Sequence, residues 1–166
     1  PDDQAFLDHQ HSAGMVTIGA SGLPKIARVA VVLVDGRLWS SATEHRVRTR
    51  RLRRDPRCVL YIQDDAAGWL ALETTVRILD GPDVPQQSVR MFRLMQGKPD
   101  GPLSWFGGEL DEAAFEAQMV AEQRIIYQFD VNRSELSQRH RRTLGFGQGM
   151  PVTVNGHDAD LDDDLE

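Results

Sequence analysis

Hydrophobic residues alternate with small or polar residues along the first half of the chain, which is the pattern of half-buried β-strands. Turn-forming residues separate these runs, because Gly22-Leu23-Pro24 follows the first run and Asp35-Gly36 follows the second. We therefore predict antiparallel strands over residues 15–20, 26–34, 37–41, 58–63 and 69–79, and a last strand over residues 124–131.

From residue 84 the hydrophobic spacing changes to the period of amphipathic helices, which predicts helices over residues 84–96 and 110–122. Segment 97–108 between them is rich in Gly and Pro, so we predict a loop in which Trp105 and Phe106 either pack on the core or line a pocket. The predicted inward-facing helix residues are Val89, Phe92, Met95, Ala114, Phe115, Met119 and Val120.

Short strands at close spacing with a helix between them predict a mainly β (α+β) domain, a small antiparallel barrel of six or so strands with flanking helices. The 166 residues fit one domain, to which we assign residues 1–142. We predict that residues 1–13 of this domain form a short amphipathic lead-in helix. We predict that residues 143–166 form a flexible acidic C-terminal tail.

The formal net charge of -6 at pH 7 argues against general affinity for nucleic acid or for an anionic membrane. Cys58 is the only cysteine, which excludes an intramolecular disulfide and favours a reducing compartment. No apolar run approaches membrane-spanning length, and the first residues do not resemble a signal peptide. From these features we expect a cytoplasmic protein.

Seven of the sixteen residues from 42 to 57 are arginine, and apolar runs on both sides place this basic segment inside the folded domain. Thr43 is predicted to cap a short helix that ends at Asp55-Pro56. Val47 and Leu52 are its only apolar residues, and we predict that they form a thin buried stripe.

Arginines recur along the faces of this helix, since Arg48 and Arg51 lie three residues apart and Arg50 and Arg54 lie four apart. Like charges at these spacings repel by about 0.2–0.5 kcal/mol unless an anion lies between them, which favours a polyanionic partner. The alternative is a solvated basic face that the acidic remainder of the protein neutralises.

Other candidate chemistry is weak. His9 and His11 lie two residues apart without further ligands nearby, so we predict no metal site. His45 opens the basic helix and either contacts a ligand or caps the helix end. Cys58 begins a predicted core strand and is interpreted as a small buried hydrophobe rather than a nucleophile. We identify no catalytic residue.

The order of these elements resembles the split β-barrel flavin and deazaflavin proteins related to pyridoxamine 5'-phosphate oxidase, from about Met15 to Val131. The sequence Leu-Arg-Arg-Asp-Pro-Arg at residues 52–57, directly before a strand, is its most specific part. Residues 22–24, 28–32, 35–41 and 46–60 carry the resemblance. The basic helix is most similar to the actinobacterial branch that uses the deazaflavin coenzyme F-420.

The resemblance implies an FMN-binding-barrel-like fold, a homodimer with the cofactor at its interface, and a phosphate-binding group of basic and hydroxyl residues. Arginine forks suit phosphate oxygens, and a helix N-terminus adds partial positive charge. Because coenzyme F-420 carries a phosphodiester and a polyglutamate tail, the many arginines favour it over FMN. The matching positions are Arg28, Ser40, Ser41, Thr43, Arg46, Arg48, Arg50 and Arg51.

The implied activity is hydride transfer from reduced F-420 to a conjugated, electron-poor small molecule, such as an enone, a quinone or a tetrapyrrole like biliverdin. The alternatives are an FMN-dependent protein like pyridoxamine 5'-phosphate oxidase and a non-catalytic flavin- or haem-binding module. Val47 replaces a residue that is often basic in the oxidases, a glycine expected near Thr74 is absent, and the motif for pyridoxal phosphate is not visible. We therefore do not predict vitamin B6 synthesis.

Binding of nucleic acid is disfavoured, since no aromatic residues interleave the arginines.

Overall fold

The alternating pattern of the first half of the chain forms strands in a computed structural model, which describes residues 6–8, 10–64 and 68–137. The strands are β1 (Ser12–Ile18), β2 (Pro24–Ala30), β3 (Val32–Val34), β4 (Arg37–Thr43), β5 (Arg57–Gln63), β6 (Trp69–Leu79), β7 (Leu103–Trp105), β8 (Gly108–Leu110) and β9 (Arg124–Ser137). The helices are α1 (Val47–Arg54), α2 (Val84–Gln96) and α3 (Glu112–Ala121).

Seven of these strands form one antiparallel sheet in the order β2-β1-β5-β6-β9-β4-β3. The two edge strands of this sheet, β2 and β3, are consecutive in the chain and are separated only by Val31. A single residue cannot span an open sheet, so the sheet must curl until its edges meet. The fold is therefore a split β-barrel, and its mainly β, α+β class is as predicted from the sequence.

The barrel interior is filled by inward-facing residues from successive strands. Met15 of β1 lies opposite Leu60 of β5, which in turn lies opposite Leu72 of β6, and all three are buried. Their neighbours Val16, Val59 and Glu73 point to the outer face of the sheet, as the two-residue period of a strand requires.

Helices α2 and α3 form a layer outside the barrel. Val84 and Met91 of α2 pack against Val32, Trp39 and Ile126 of the sheet. A second cluster joins α2, α3 and the small β7–β8 hairpin, and its buried members are Val89, Leu103, Phe115 and Met119. These contacts confirm the predicted inward faces of both helices except at Ala114 and Val120, which are exposed.

Several predicted bounds were wrong. The run 26–34 is divided between β2 and β3, because the chain crosses from one edge of the sheet to the other at Val31. Segment 97–108 contains β7 and the start of β8, and the last strand continues beyond residue 131 to Ser137. Phe6 and Leu7 of the predicted lead-in helix are helical and buried in the barrel core. The predicted tail at 143–166 lies outside the described residues.

Helix α1 lies against one end of the barrel. Its Leu52 belongs to the barrel core, and Arg54 Nη2 donates to the carbonyl of Ile18 at the end of β1, at 2.9 Å. Asp55-Pro56 ends the helix as predicted. None of the helices in the described part of the chain has the length and hydrophobicity that a bilayer crossing requires.

The buried stripe of α1 consists of Thr49 and Leu52, so the prediction of Val47 as its second member was wrong. Val47 and Leu52 are five positions apart in the sequence, which places them about 140° apart around a helix, whereas Thr49 and Leu52 are about 60° apart. Val47 is consequently 51% exposed, and Leu52 is 2% exposed.

We predict that Leu52→Ala lowers the free energy of unfolding by about 2–5 kcal/mol, because it leaves a cavity in the barrel core. Val47→Ala is the matched control in the same helix and should change it by no more than about 0.5 kcal/mol. Urea denaturation of both variants measures the difference. Equal losses would contradict the observed orientation of α1.

Candidate functional site

Strand β4 brings three of the predicted site residues to the end of the barrel that α1 covers. Ser40 shares the inward face of β4 with Leu38 and Ala42, and Ser41 and Thr43 lie on the opposite face. Ser40 and Thr43 are buried, and Ser41 is half-buried. Because β4 leads directly into the turn before α1, these hydroxyl groups and the arginines of the helix lie in one region of the fold.

Thr43 does not cap the helix, which corrects the prediction. The N-cap residue is Arg46, which has an extended backbone and makes no side-chain capping hydrogen bond. The carbonyl of Thr43 instead accepts hydrogen bonds from the Arg46 amide at 3.3 Å and from Thr49 Oγ1 at 2.8 Å. The amide groups at the start of the helix therefore lack a side-chain cap, and such groups bind water or a ligand.

Thr49 and Tyr127 form the polar floor of this region. Thr49 Oγ1 lies 2.5 Å from the Tyr127 hydroxyl, and Tyr127 on β9 pairs with Ser40 on β4. Burial raises the pKa of Tyr127 above its usual value, although the hydrogen bond with Thr49 and the nearby guanidinium of Arg48 act in the opposite direction. Tyr127 therefore keeps its proton at neutral pH.

Three predicted site residues carry a buried polar atom without a partner among the described residues. These atoms are Ser40 Oγ, Thr43 Oγ1 and Arg48 Nε. Native proteins satisfy nearly all buried polar groups, so unpaired ones call for a ligand, a water molecule or another explanation. A guanidinium N–H can only donate, and hydroxyl groups can donate, so each of these atoms suits an anionic group. Ser40 and Thr43 present their hydroxyl groups on opposite faces of β4.

The arginines of the basic segment divide into two groups according to their partners. Arg53 forms ion pairs with Glu44 at 2.5 Å and Asp80 at 3.0 Å, and Arg57 pairs with Asp55 at 2.7 Å. By contrast, the predicted residues Arg46, Arg48 and Arg51 form no ion pair within the described part of the chain. Among the described residues, the predicted residue Arg50 donates only to the carbonyl of His45, at 2.9 Å.

The remaining predicted residue, Arg28, lies on the outer face of β2. Its Nε donates to Ser12 Oγ at 3.1 Å, and it lines a groove of about 340 Å³ together with Ile26 and Tyr61. Within the described residues no hydrogen bond or ion pair joins Arg28 to α1. The structure thus brings the predicted helix and β4 residues together, and it puts Arg28 on a separate surface.

Arg124 is a further cation beside the site, and the sequence analysis missed it. It pairs with Thr43 across β4 and β9, and its Nη1 donates to Ser41 Oγ at 3.4 Å. Its guanidinium also lies 4.7 Å from the centre of the Trp105 ring and 2.7 Å from Glu122. Burial alone would raise the pKa of Glu122, but hydrogen bonds from Gln118, Trp105 and Arg124 lower it.

Sequence reasoning also missed Thr49 and Tyr127. The spacing of Thr49 and Leu52 could have indicated a shared inward face, since three residues correspond to nearly one helical turn. The contact with Tyr127 joins residues 78 positions apart, and no local pattern indicates it.

Cys58 is buried on β5, as the sequence analysis expected. Burial raises the pKa of its thiol to about 12, and hydrogen bonds that involve Thr74 and Val16 offset only part of this rise. The thiol is therefore protonated at physiological pH and is not a nucleophile.

No protein-family model and no curated protein matches this chain. Among solved structures, the chain is similar to a conserved hypothetical protein from Mycobacterium tuberculosis, with 18% identity, 93% of this chain and 92% of that chain covered, and a TM-score of 0.66. It is also similar to a protein described as an F-420 reductase, with 16% identity, 80% and 94% covered, and a TM-score of 0.58.

A third similar structure is a Clostridium acetobutylicum protein related to general stress protein 26 and described as of the pyridoxinephosphate oxidase family. It shows 16% identity, 83% and 87% coverage, and a TM-score of 0.57. At these identities the likeness establishes the fold. The split β-barrel of the flavin and deazaflavin proteins that the sequence resembles is therefore the fold of this chain.

Thr49→Val should lower the free energy of unfolding by about 1–3 kcal/mol, because the Tyr127 hydroxyl loses its buried partner and the Thr43 carbonyl loses one of its two donors. Tyr127→Phe should cost less, since Thr49 still donates to Thr43. A double-mutant cycle in urea should give a combined loss smaller than the sum of the single losses. Additive losses would show that the two hydroxyl groups do not interact in solution.

Proposed function

We propose that this protein is an oxidoreductase that uses the reduced deazaflavin coenzyme F-420 to transfer a hydride to a conjugated, electron-poor small molecule such as an enone, a quinone or a tetrapyrrole like biliverdin. The observation that carries the proposal is the group of buried, unpaired polar atoms of Ser40, Thr43 and Arg48 in a split barrel. The phosphate of a flavin or deazaflavin is an anion that this donor set fits.

Arg46, Arg50 and Arg51 support a ligand with more negative charge than a single phosphate. Arg50 and Arg51 lie on the same helix as Arg48, Arg46 is its N-cap residue, and none of them forms an ion pair within the described residues. A phosphodiester with a polyglutamate tail could engage such a group, whereas FMN offers one phosphate. The cation count therefore favours F-420, and FMN is the alternative cofactor.

When bound, the reduced deazaflavin supplies the hydride. The part of the protein is to hold the anionic end of the cofactor with Arg48 and with hydroxyl groups at the end of β4, Ser40 on its inward face and Thr43 on its outward face, and so to fix the position of its ring relative to the substrate. Tyr127 contributes a neutral hydroxyl to the floor of this site, because its raised pKa keeps it protonated. The proposal requires no catalytic acid or base from the chain.

We propose further that the protein is a homodimer with the cofactor at the interface between its subunits. The outer face of the sheet supports this proposal, because it exposes Ile26 on β2 and Val59 and Tyr61 on β5, the two strands that flank β1. An apolar surface of this kind is typical of a protein–protein contact. Arg28 lies on the same face, so a dimer would place it at the interface with the cofactor.

The first test is a titration of the purified protein with F-420 and with FMN side by side. Arg48→Ala should weaken F-420 binding about tenfold to over a hundredfold, since a charge-assisted contact to phosphate is worth about 1.5–3 kcal/mol. Arg28→Ala should have a smaller effect. The melting temperature of the empty Arg48→Ala protein should hold or rise slightly, because a buried donor without a partner is removed.

Arg53→Ala is the matched control, because it removes the same charge from the same helix at a residue already paired with Glu44 and Asp80. Equal losses at Arg48 and Arg53 would indicate a diffuse electrostatic field instead of a phosphate site. Unchanged affinity in Arg48→Ala would remove the basis for the cofactor assignment. Binding of F-420 without its oxidation by any enone, quinone or tetrapyrrole would indicate a non-catalytic binding module.

Light scattering should give the mass of a dimer for the unmodified chain. Ile26→Glu should shift the protein towards the monomer, because Ile26 is 75% exposed and a charge there would be buried in the proposed interface. Leu94→Glu, at an exposed position of α2, is the control and should leave the mass unchanged. A strict monomer that still binds the cofactor would contradict the proposed assembly.

A further inference from the structure

Phe106, at the tip of the β7–β8 hairpin, is a large apolar residue in an unfavourable position. Its side chain is 87% exposed. Its backbone has a φ of +40°, in the left-handed region that residues with a large side chain rarely adopt. Single exposed hydrophobic residues are common and need no explanation, but a strained one does.

The same chain builds a comparable turn with a suitable residue. Asp35 and Gly36 connect β3 to β4 and have φ values of +50° and +74°, and Phe106 and Gly107 connect β7 to β8 with φ values of +40° and +86°. Turns of this kind favour Asn, Asp or Gly at the first position because a short side chain tolerates positive φ. The backbone conformation of the turn therefore does not favour a phenylalanine at this position.

The hairpin that carries Phe106 is firmly held, although its strands have only three residues each. Gln96 forms two hydrogen bonds with Ser104, both at 2.9 Å, and Lys98 Nζ reaches Glu109 at 2.8 Å. Trp105 packs edge-on against Phe92 and Phe115, with ring centres 5.1 and 5.4 Å away. These contacts fix the backbone of the tip, and they involve its neighbours rather than Phe106.

A short path of contacts connects Phe106 to the candidate site. Its ring centre lies 4.8 Å from that of Trp105, and Trp105 lies under the guanidinium of Arg124. Arg124 in turn donates to Ser41 and pairs with Thr43 at the end of β4. The hairpin is therefore connected to the end of β4, and two side chains, those of Trp105 and Arg124, lie between the exposed ring of Phe106 and Ser41.

We propose that Phe106 is a substrate-contacting residue, which packs against the conjugated ring of the electron acceptor in the site described above. This inference rests on the proposed function. An aromatic side chain prefers edge-to-face or offset contact with another planar ring, and electron-poor quinones offer such a ring. The strained backbone at Phe106 is then retained because this conformation pre-organises the side chain for contact with the ligand.

The test is calorimetric titration with 2-methyl-1,4-naphthoquinone, measured on the protein alone and with F-420 added. Phe106→Asn should weaken quinone binding about tenfold, leave the Kd for F-420 unchanged, and leave the melting temperature equal or up to about 3 °C higher. Phe106→Tyr keeps the ring and should keep the affinity. Val120→Asn removes another exposed apolar side chain, 64% exposed on α3, and should change none of these quantities.

Equal quinone affinity in Phe106→Asn and in the unmodified protein would overturn the inference, as would no measurable quinone binding in either form. A lower melting temperature together with weaker F-420 binding would assign Phe106 a structural role. Loss of the dimer in Phe106→Asn would assign the tip to an interface between subunits. The proposed function fails separately, if the unmodified protein does not bind F-420.

Discussion

The closure of the sheet at Val31 is the constraint on which the rest of the structure depends. Because one residue separates the two edge strands, the barrel has to curl and its ends have to be covered. Helix α1 covers one end with Leu52 and Thr49. These two residues have different roles. Leu52 completes the core, whereas Thr49 brings a hydroxyl group to Tyr127 and so makes the same end of the barrel polar.

The arginines of the basic segment differ in whether a carboxylate or a carbonyl of the chain pairs with them. Arg53 and Arg57 are neutralised by carboxylates of the chain, and Arg54 is bound to a backbone carbonyl. Arg48 has a buried Nε that finds no partner in the described part of the chain, and a desolvated donor of this kind interacts more strongly with an anion than an exposed one does. A local anion site is thus compatible with the negative net charge of the protein.

The layer outside the barrel has a small core of its own, and the polar contacts around its hairpin add rigidity. Phe115 and Met119 of α3 pack with Val89 of α2 under the hairpin. Arg124 links this layer to β4 through Ser41. Residues that face a ligand are best held by rigid neighbours, and this arrangement connects the exposed tip of the hairpin to the barrel.

The positions of most strands and helices follow from the sequence, because alternation and helical spacing depend on which side of each element is buried. Trp69–Leu79 and Val84–Gln96 have the bounds predicted from this pattern. The break at Val31 could not be predicted, since residues 26–34 form one continuous β-branched run and only the closure of the sheet divides it. The partners of Arg53 and Tyr127 likewise come from distant parts of the chain, at Asp80 and Thr49. The sequence therefore determines that arginines and hydroxyl groups are available, and the packing of β4, α1 and β9 determines which of them remain unpaired, because burial and distance exist only in the folded chain.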